Sequence, residues 1–174
     1  MFEQLTPEAR RVIFFARVES DSAGADAITE EHLFLGLIHE DLAFVNRFLQ
    51  PELTENDLRA KFQIQASYAQ DLKRSGEGWP MDSNCASVLS LADEEARIAG
   101  STLTGIEHML MALLRINGSR VVELFRRYGA DFETVKRQLA ITPYVPLAKE
   151  ERLANERDRI AKLSSPGAAP LAGQ

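Results

Sequence analysis

Two Glu-His pairs head apolar runs in this chain. Glu31-His32 stands in I-T-E-E-H-L-F-L-G-L (28–37), and Glu107-His108 in L-T-G-I-E-H-M-L-M-A-L (103–113). With His39, Glu40 and the single Cys85, these are the side chains whose types could support acid–base, nucleophilic or metal chemistry. Their spacing limits that chemistry. A metalloprotease helix needs histidines at i and i+4 with a glutamate between them, whereas His32 and His39 are seven residues apart. A zinc site needs three or four convergent ligands; the chain has three His and one Cys in all. No metal ligand and no catalytic residue is therefore assigned, and no enzyme activity is expected. A small hydrolase or metal protein built on Cys85, His32 and His108 remains the reading from a different class. Against it, Cys85 is expected to be a buried, unactivated thiol.

The same pairs have a structural explanation. A glutamate near a helix N-terminus stabilises the macrodipole by about 0.3–1 kcal/mol, and Glu107 has the capping-box spacing from Thr104. The histidines are expected to hold each helix start to a neighbouring helix through a buried hydrogen bond. An exposed carboxylate beside unpaired N–H groups can both cap and receive a ligand.

The elements that must carry them are helices. Thr6-Pro7-Glu8 supplies a cap, a first-turn proline and an early acid before Ala9, Val12, Ile13, Ala16 and Ala23, which recur at helical steps. Gly24 offers a stop. A second helix follows Thr29 through Leu33, Leu37 and Ile38. A short third carries Phe44, Val45, Phe48 and Leu49, and Thr54 with Asp57 opens a fourth that holds Leu58, Phe62 and Tyr68. After the polar stretch Lys73–Gly78 the plan restarts. Asp82 caps a helix with Cys85, Val88, Leu89, Ala92, Ile98 and Ala99, Thr104 opens the next, Gly118 and Gly129 punctuate those that follow, and Asp131 caps the last.

A shift of 76 residues, the separation of the two Glu-His pairs, superimposes these plans. It places Val12 on Val88, Ala16 on Ala92, Glu19 on Glu95, Gly24 on Gly100, Leu37 on Leu113 and Val45 on Val121. Cys85 falls on Ala9, a small core position. The expected fold is all-α, with two pseudo-symmetric four-helix repeats and eight helices. Repeat 1 is placed at 1–70, a linker at 71–80, repeat 2 at 81–142, and a charged helix with a flexible tail at 143–174; the repeats are expected to form one compact domain. The runs Leu33-Phe34-Leu35 and Met109-Leu110-Met111 exceed one helix face, so part of each is expected at an inter-repeat seam or a partner surface.

Composition narrows the partners. The chain has 174 residues, 45% hydrophobic and 26% charged, with a formal net charge of -6. Duplex nucleic acid would meet overall repulsion, and no basic patch stands out. No run approaches the roughly 18 apolar residues of a membrane span. The opening M-F-E-Q-L-T-P-E lacks a secretory pattern and the lone cysteine cannot form an internal disulfide, so a cytoplasmic protein with neither a nucleic-acid nor a membrane partner, and without a cofactor, is expected.

The residues then bring a family into view. M-F-E-Q-L-T-P-E-A-R-R-V-I resembles the start of the amino-terminal (Clp N) domain of the Clp unfoldases, of the ClpC and ClpA type. I-T-E-E-H-L-F-L-G-L is similar to that family's I-G-T-E-H-I-L-L-G-L, and L-T-G-I-E-H-M-L-M-A-L echoes it more loosely. The resemblance spans residues 1–141, through both repeats, and implies an all-α double Clp N motif. It implies a non-catalytic interaction domain that binds client proteins or adaptors for a Clp unfoldase–protease, with Clp ATPase and protease components as partners. An accessory subunit that stabilises the Clp proteolytic assembly is the alternative. No G-x-x-x-x-G-K-[ST] phosphate loop occurs, so the chain is expected to be a Clp N protein without the AAA+ ATPase module or the amino-terminal piece of a ClpC-like ATPase.

Carried over residue by residue, the resemblance assigns Glu31 and Glu107 to phosphoarginine or peptide docking, and Phe2 to a ligand surface near the repeat junction. The bland reading of Phe2 is a cover for the repeat interface. The family's Gly-Thr before the glutamate is Thr29-Glu30 here, and Gly105-Ile106 in the second repeat. Glu30 is expected to add charge where a phosphate would sit, and Ile106 to remove a hydroxyl. Met81 and Ala86 stand where the family has an aromatic and a lysine.

Overall fold

Helix starts in this chain are written by side chains that replace the missing backbone acceptors of a first turn. The computed structural model describes residues 2–62, 78 and 80–164, without the side chains of Phe2, Leu163 and Ser164. The expected linker at 71–80 falls almost entirely outside the described residues, as does Tyr68. Among the described residues the regular elements are helices, joined by two isolated bridges. The chain divides into a unit at Met1–Tyr144 and a second at Val145–Gln174.

In the first unit, α1 (Pro7–Ser22) starts at Thr6, whose Oγ1 accepts the Ala9 N–H at 3.2 Å. Its counterpart α4 (Ser83–Ile98) starts at Asp82, whose Oδ1 accepts the Cys85 N–H at 2.7 Å. Both end alike. Gly24 and Gly100 take the left-handed conformation (φ +65° and +72°), and the residues after them donate back to Ser20 and Ala96 carbonyls. That is a Schellman stop, for which glycine carries no Cβ penalty. Ala9, Val12, Ile13 and Ala16 are buried as expected, whereas Ala23 is exposed at the C-cap. Ile98 and Ala99 are also exposed, Ile98 at 63%, because the last turn of α4 runs past the core.

The expected second and third helices are written as one element, α2 (Glu30–Asn46), interrupted at Asp41. Asp41 has φ −155° and ψ 83°, and its Oδ1 accepts the Phe44 N–H at 2.9 Å. This is an N-cap inside a nominally continuous helix, so two helical segments meet there. α3 (Glu55–Lys61) carries the Thr54/Asp57 capping box. Repeat 2 continues with α5 (Ile106–Leu113), α6 (Arg120–Arg127), capped by Ser119, and α7 (Phe132–Ile141), capped by Asp131. Counted at the Asp41 break, each repeat has four helices.

The central helices α2 and α5 are buried nearly all round. Leu33, Phe34, Leu35, Met109, Leu110 and Met111 are all buried, so none of the apolar excess forms a partner surface. A helix apolar on every side belongs in a core, and here the second repeat covers the face that the first leaves open. Phe34 makes edge-to-face contacts with Phe62 and Phe125, at 5.6 and 5.9 Å between centroids. Each such fully buried large side chain contributes about 1.5–3 kcal/mol. Gly36 permits a close approach of α1 to α2, since a Cβ there would lie 2.3 Å from the Val12 carbonyl oxygen.

Two short parallel bridges close the seam. Leu5 pairs with Thr104 and Ile28 with Met81. The shift of 76 residues carries Leu5 onto Met81 and Ile28 onto Thr104, so each bridge is the other's image. The hydrogen bonds repeat too: Thr6 N–H to Thr104 C=O (3.0 Å) matches Asp82 N–H to Ile28 C=O (3.0 Å), and Thr104 N–H to Gln4 C=O (2.7 Å) matches Ile28 N–H to Pro80 C=O (2.8 Å). The repeats therefore meet as a two-fold dimer would, through one self-complementary surface.

In the second unit α8 (Lys149–Ser164) leaves Leu153 and Ile160 about half exposed and carries a Lys162–Asp158 ion pair at 2.9 Å. It has the composition of a solvated helix.

Candidate functional site

The two Glu-His pairs open α2 and α5 in the same register, with glutamate second and histidine third in the helix. His32 Nδ1 accepts the Thr29 N–H at 3.0 Å, and His108 Nδ1 accepts the Gly105 N–H at 2.9 Å. An accepting Nδ1 places the ring proton on Nε2. Each imidazole thus takes the place of the glutamate of a capping box, reaching back from N3 to the N-cap amide. Both rings are 5% exposed. The expected bond to a neighbouring helix is corrected: each histidine fastens the start of its own helix. Burial lowers the His32 pKa from its ordinary value, opposed by Glu19, Glu31 and Asp82.

The expected Thr104–Glu107 capping box does not form. Gly105 is the N-cap, one residue later, and as a glycine it offers no side-chain oxygen to the first turn of α5. Thr104 is drawn into the seam: its backbone bridges Leu5, and its Oγ1 donates to Asp93 Oδ1 at 2.6 Å.

Glu31 and Glu107, equivalent in register, have different surroundings. Glu31 accepts a forked pair from Arg120 of α6, Nε to Oε1 and Nη2 to Oε2, both at 2.6 Å. Arg120 also donates to the Phe62 carbonyl at 3.1 Å and lies over the Phe62 ring, 5.4 Å from its centroid. Among the described residues Glu107 has no such partner. Its side chain is 28% exposed, its Oε1 lies 3.8 Å from His108 Nδ1, and among the described residues no Lys or Arg pairs with it. The carboxylate folds back over Gly105, where a Cβ would stand 2.3 Å from Oε2.

The burial of Glu30 corrects the expectation that it adds charge beside Glu31, and Ile106 is buried at the equivalent position. Neither lies on the surface beside the glutamate. Glu30 is 7% exposed with its Oε2 buried and without a hydrogen-bond partner, and Ile106 is fully buried. After desolvation and Asp82, the Glu30 charge is among the causes that raise the pKa of the buried Cys85 thiol. Phe2 belongs to a short 3-10 turn, Phe2–Gln4, and its side chain lies outside the described residues.

The alternative chemistry finds no assembled site. Cys85 is fully buried, and desolvation with Asp82 and Glu30 nearby pushes its thiol up to about 12. A thiol held protonated is a poor nucleophile. His39 stacks on Phe15 at 3.5 Å, and Glu40 accepts from Arg11 at 2.6 to 3.0 Å. Among the described residues no group of three or more His, Cys, Asp and Glu could hold a metal ion.

Sequence reasoning missed the cations. Arg120, Arg11, Arg59 and Arg115 pair with Glu31, Glu40, Glu19 and Glu95. Arg120 carried one usable signal: the repeat shift sets it opposite Phe44, so an apolar core position in one repeat is a charge in the other.

Comparison with known proteins agrees with this fold. Residues 80–156 match the model of the Clp repeat (R) N-terminal domain. The chain is 28% identical over 139 residues to the chloroplastic chaperone protein ClpC of Pisum sativum, covering 80% of this chain and 15% of that protein. It is 31% identical over 140 residues to the chloroplastic chaperone protein ClpD1 of Oryza sativa subsp. japonica, covering 75% and 15%. The chain thus spans about 15% of the length of these relatives. Among solved structures, the N-terminal domain of the caseinolytic protease associated chaperone ClpD from Arabidopsis thaliana aligns with TM-score 0.61 and 25% identity, over 81% of this chain and 95% of that one. The Hsp104 N-terminal domain from Candida albicans shares the fold at TM-score 0.61 and 15% identity, over 86% and 99%. Both named relatives are chloroplast proteins, so similarity does not carry the plain cytoplasmic expectation to this chain. Among the described residues no helix is long and apolar enough to cross a membrane. The match over residues 80–156 places that part of the chain in the Clp repeat (R) N-terminal domain family, and the chain as a whole is all-α and similar in fold to the N-terminal domain of ClpD.

Proposed function

We propose that this chain is a non-catalytic docking module, which binds client proteins or adaptors and presents them to a Clp unfoldase–protease. One observation carries the reading. The pseudo-two-fold double repeat keeps Glu31 and Glu107 partly exposed at equivalent helix starts, while His32, His108 and its only thiol are sealed into caps and core. A carboxylate on the rim of a helix start suits a guanidinium, through a forked charge-assisted pair. Backbone N–H groups beside it suit an attached phosphate. A peptide bearing phosphoarginine presents both groups, and this is the ligand class proposed.

Fluorescence anisotropy tests it, with a labelled peptide carrying one phosphoarginine and the same peptide carrying unmodified arginine. The phosphorylated peptide is expected to bind more tightly, and its binding to fall on Glu107→Ala while circular dichroism stays unchanged. Equal affinity for both peptides, or none for either, overturns guanidinium-phosphate docking. Partner choice is read by adding an assembled Clp ATPase ring with an arginine-phosphorylated model client. Faster client delivery in the presence of the chain supports presentation, and delivery unaffected by the chain overturns it.

A further inference from the structure

We infer that Arg120 is an internal guanidinium that fills the Glu31 position, so that the two repeats are unequal and only Glu107 is open to an external guanidinium. The inference rests on the docking reading above and specifies which of its two glutamates is available.

The fork at Glu31 is the one a guanidinium ligand would make. Both carboxylate oxygens receive an Arg120 N–H at 2.6 Å. The same guanidinium is steadied by the Phe62 carbonyl at 3.1 Å and by the Phe62 ring beneath it. Phe62 is 3% exposed and packs edge-to-face on Phe34, so the platform under Arg120 is part of the core. A tethered arginine competes at a high effective concentration that no dilution removes. An incoming guanidinium at Glu31 must first break this pair.

Among the described residues nothing equivalent pairs with Glu107. The residue opposite Arg120 under the repeat shift is Phe44, an apolar side chain 3% exposed. The basic group beside it among the described residues, His108 Nδ1 at 3.8 Å, accepts the Gly105 N–H, so it carries no proton there. The start of α5 also lacks the side-chain cap that Thr29 gives α2. The first-turn N–H groups beside Glu107 are thereby left to an anion, whereas at α2 Thr29 Oγ1 already takes the His32 N–H. Both differences favour the same repeat.

The stoichiometry of the phosphoarginine peptide on the full chain, read by isothermal titration, tests this. Arg120→Gln keeps the stem over Phe62 and removes the charge. The native chain is expected to take one peptide, abolished by Glu107→Ala; Arg120→Gln is expected to take two, and Glu107→Ala/Arg120→Gln one. Adding Glu31→Ala to that double variant is expected to remove the last site. Two peptides on the native chain, or one on Arg120→Gln, overturn the inference while leaving the docking reading intact. No binding to any variant overturns the docking reading and the inequality with it. A ligand-free measurement separates the cases further. The Arg120 Nε–H resonance in 15N NMR is expected to be protected from exchange and to lose that protection in Glu31→Gln. An Nε–H that exchanges like free arginine in the native chain also overturns the inference.

Discussion

His32 Nδ1 accepts the Thr29 amide proton at 3.0 Å, inside a helix start that is 5% exposed at the ring. Protonating that nitrogen deletes the acceptor and buries a charge. Consistent with this, burial lowers the ring's pKa below its ordinary 6.5. The unfolded chain therefore binds the proton more readily than the folded one, and stability must rise with pH across that interval. The contribution is complete above the unfolded value of 6.5 and is lost as pH falls through the lowered folded value. Urea unfolding at pH 7.5 and pH 5.5, both above the carboxylate range, is expected to show lower stability at the acid end. The Gln variant of this residue (His32→Gln), whose carbonyl can cap without titrating, is expected to flatten the difference. A wild-type midpoint indifferent to pH over this range would refute the capping role of the neutral imidazole.

Some of this architecture was legible before any coordinates and some was not, for physical reasons. Caps act within three residues, so Thr6, Thr29, Thr54, Asp82 and Asp131 could be read locally, and all five cap helices. The duplication made the pairing of helix starts readable across the chain. Asp41 was not recognised as the cap of the short third helix, although it closes the polar run His39-Glu40-Asp41 three residues before Phe44. The Thr104 assignment slipped by one residue because a glutamate at capping-box spacing outweighed a glycine without a capping oxygen. Glu30 was misplaced for a similar reason: charge argues for surface, yet its register with Ile106 argued for core, and the register won. At the candidate site the glutamates could be found and their inequality could not, since Arg120 reaches Glu31 across 89 residues of sequence.

Glu19 and Arg59 form a forked pair in the interior of repeat 1, at 8% and 7% exposure, and Glu55 also accepts from Arg59 Nε at 3.0 Å. Removing one partner of such a pair strands a desolvated charge, which typically costs about 3–5 kcal/mol, whereas replacing both by apolar side chains is often neutral. Arg59→Met is expected to destabilise the domain by about 3 kcal/mol, at the low end because Glu19 has some water access. Glu19→Leu/Arg59→Met is expected to recover most of that loss. Guanidinium unfolding midpoints of the single and double variants check it; a double variant no more stable than Arg59→Met would show that the pair holds the geometry of the core rather than balancing a charge.

The buried Glu30 carboxylate makes the opposite prediction. Its Oε2 has no hydrogen-bond partner, and the equivalent position in repeat 2 is Ile106, fully buried. A desolvated, unsatisfied oxygen costs about 1–3 kcal/mol, while a carboxylate at the first turn of α2 recovers about 0.3–1 kcal/mol from the helix dipole. The first effect is larger. Glu30→Ile is therefore expected to stabilise the domain by about 1 kcal/mol or more, measured as a rise in the urea midpoint at unchanged slope. Cys85 supplies an independent reading of the same change. Its thiol is held up at about 12 by desolvation, then by Asp82 and Glu30, so losing the Glu30 charge is expected to lower it. The labelling rate with a thiol reagent needs the unfolding contribution subtracted, because a fully buried sulfur reacts only after local opening. A Glu30→Ile variant less stable than the native chain would mean that the carboxylate is satisfied by water at the seam, and that the two repeats differ there by design rather than by an uncompensated charge.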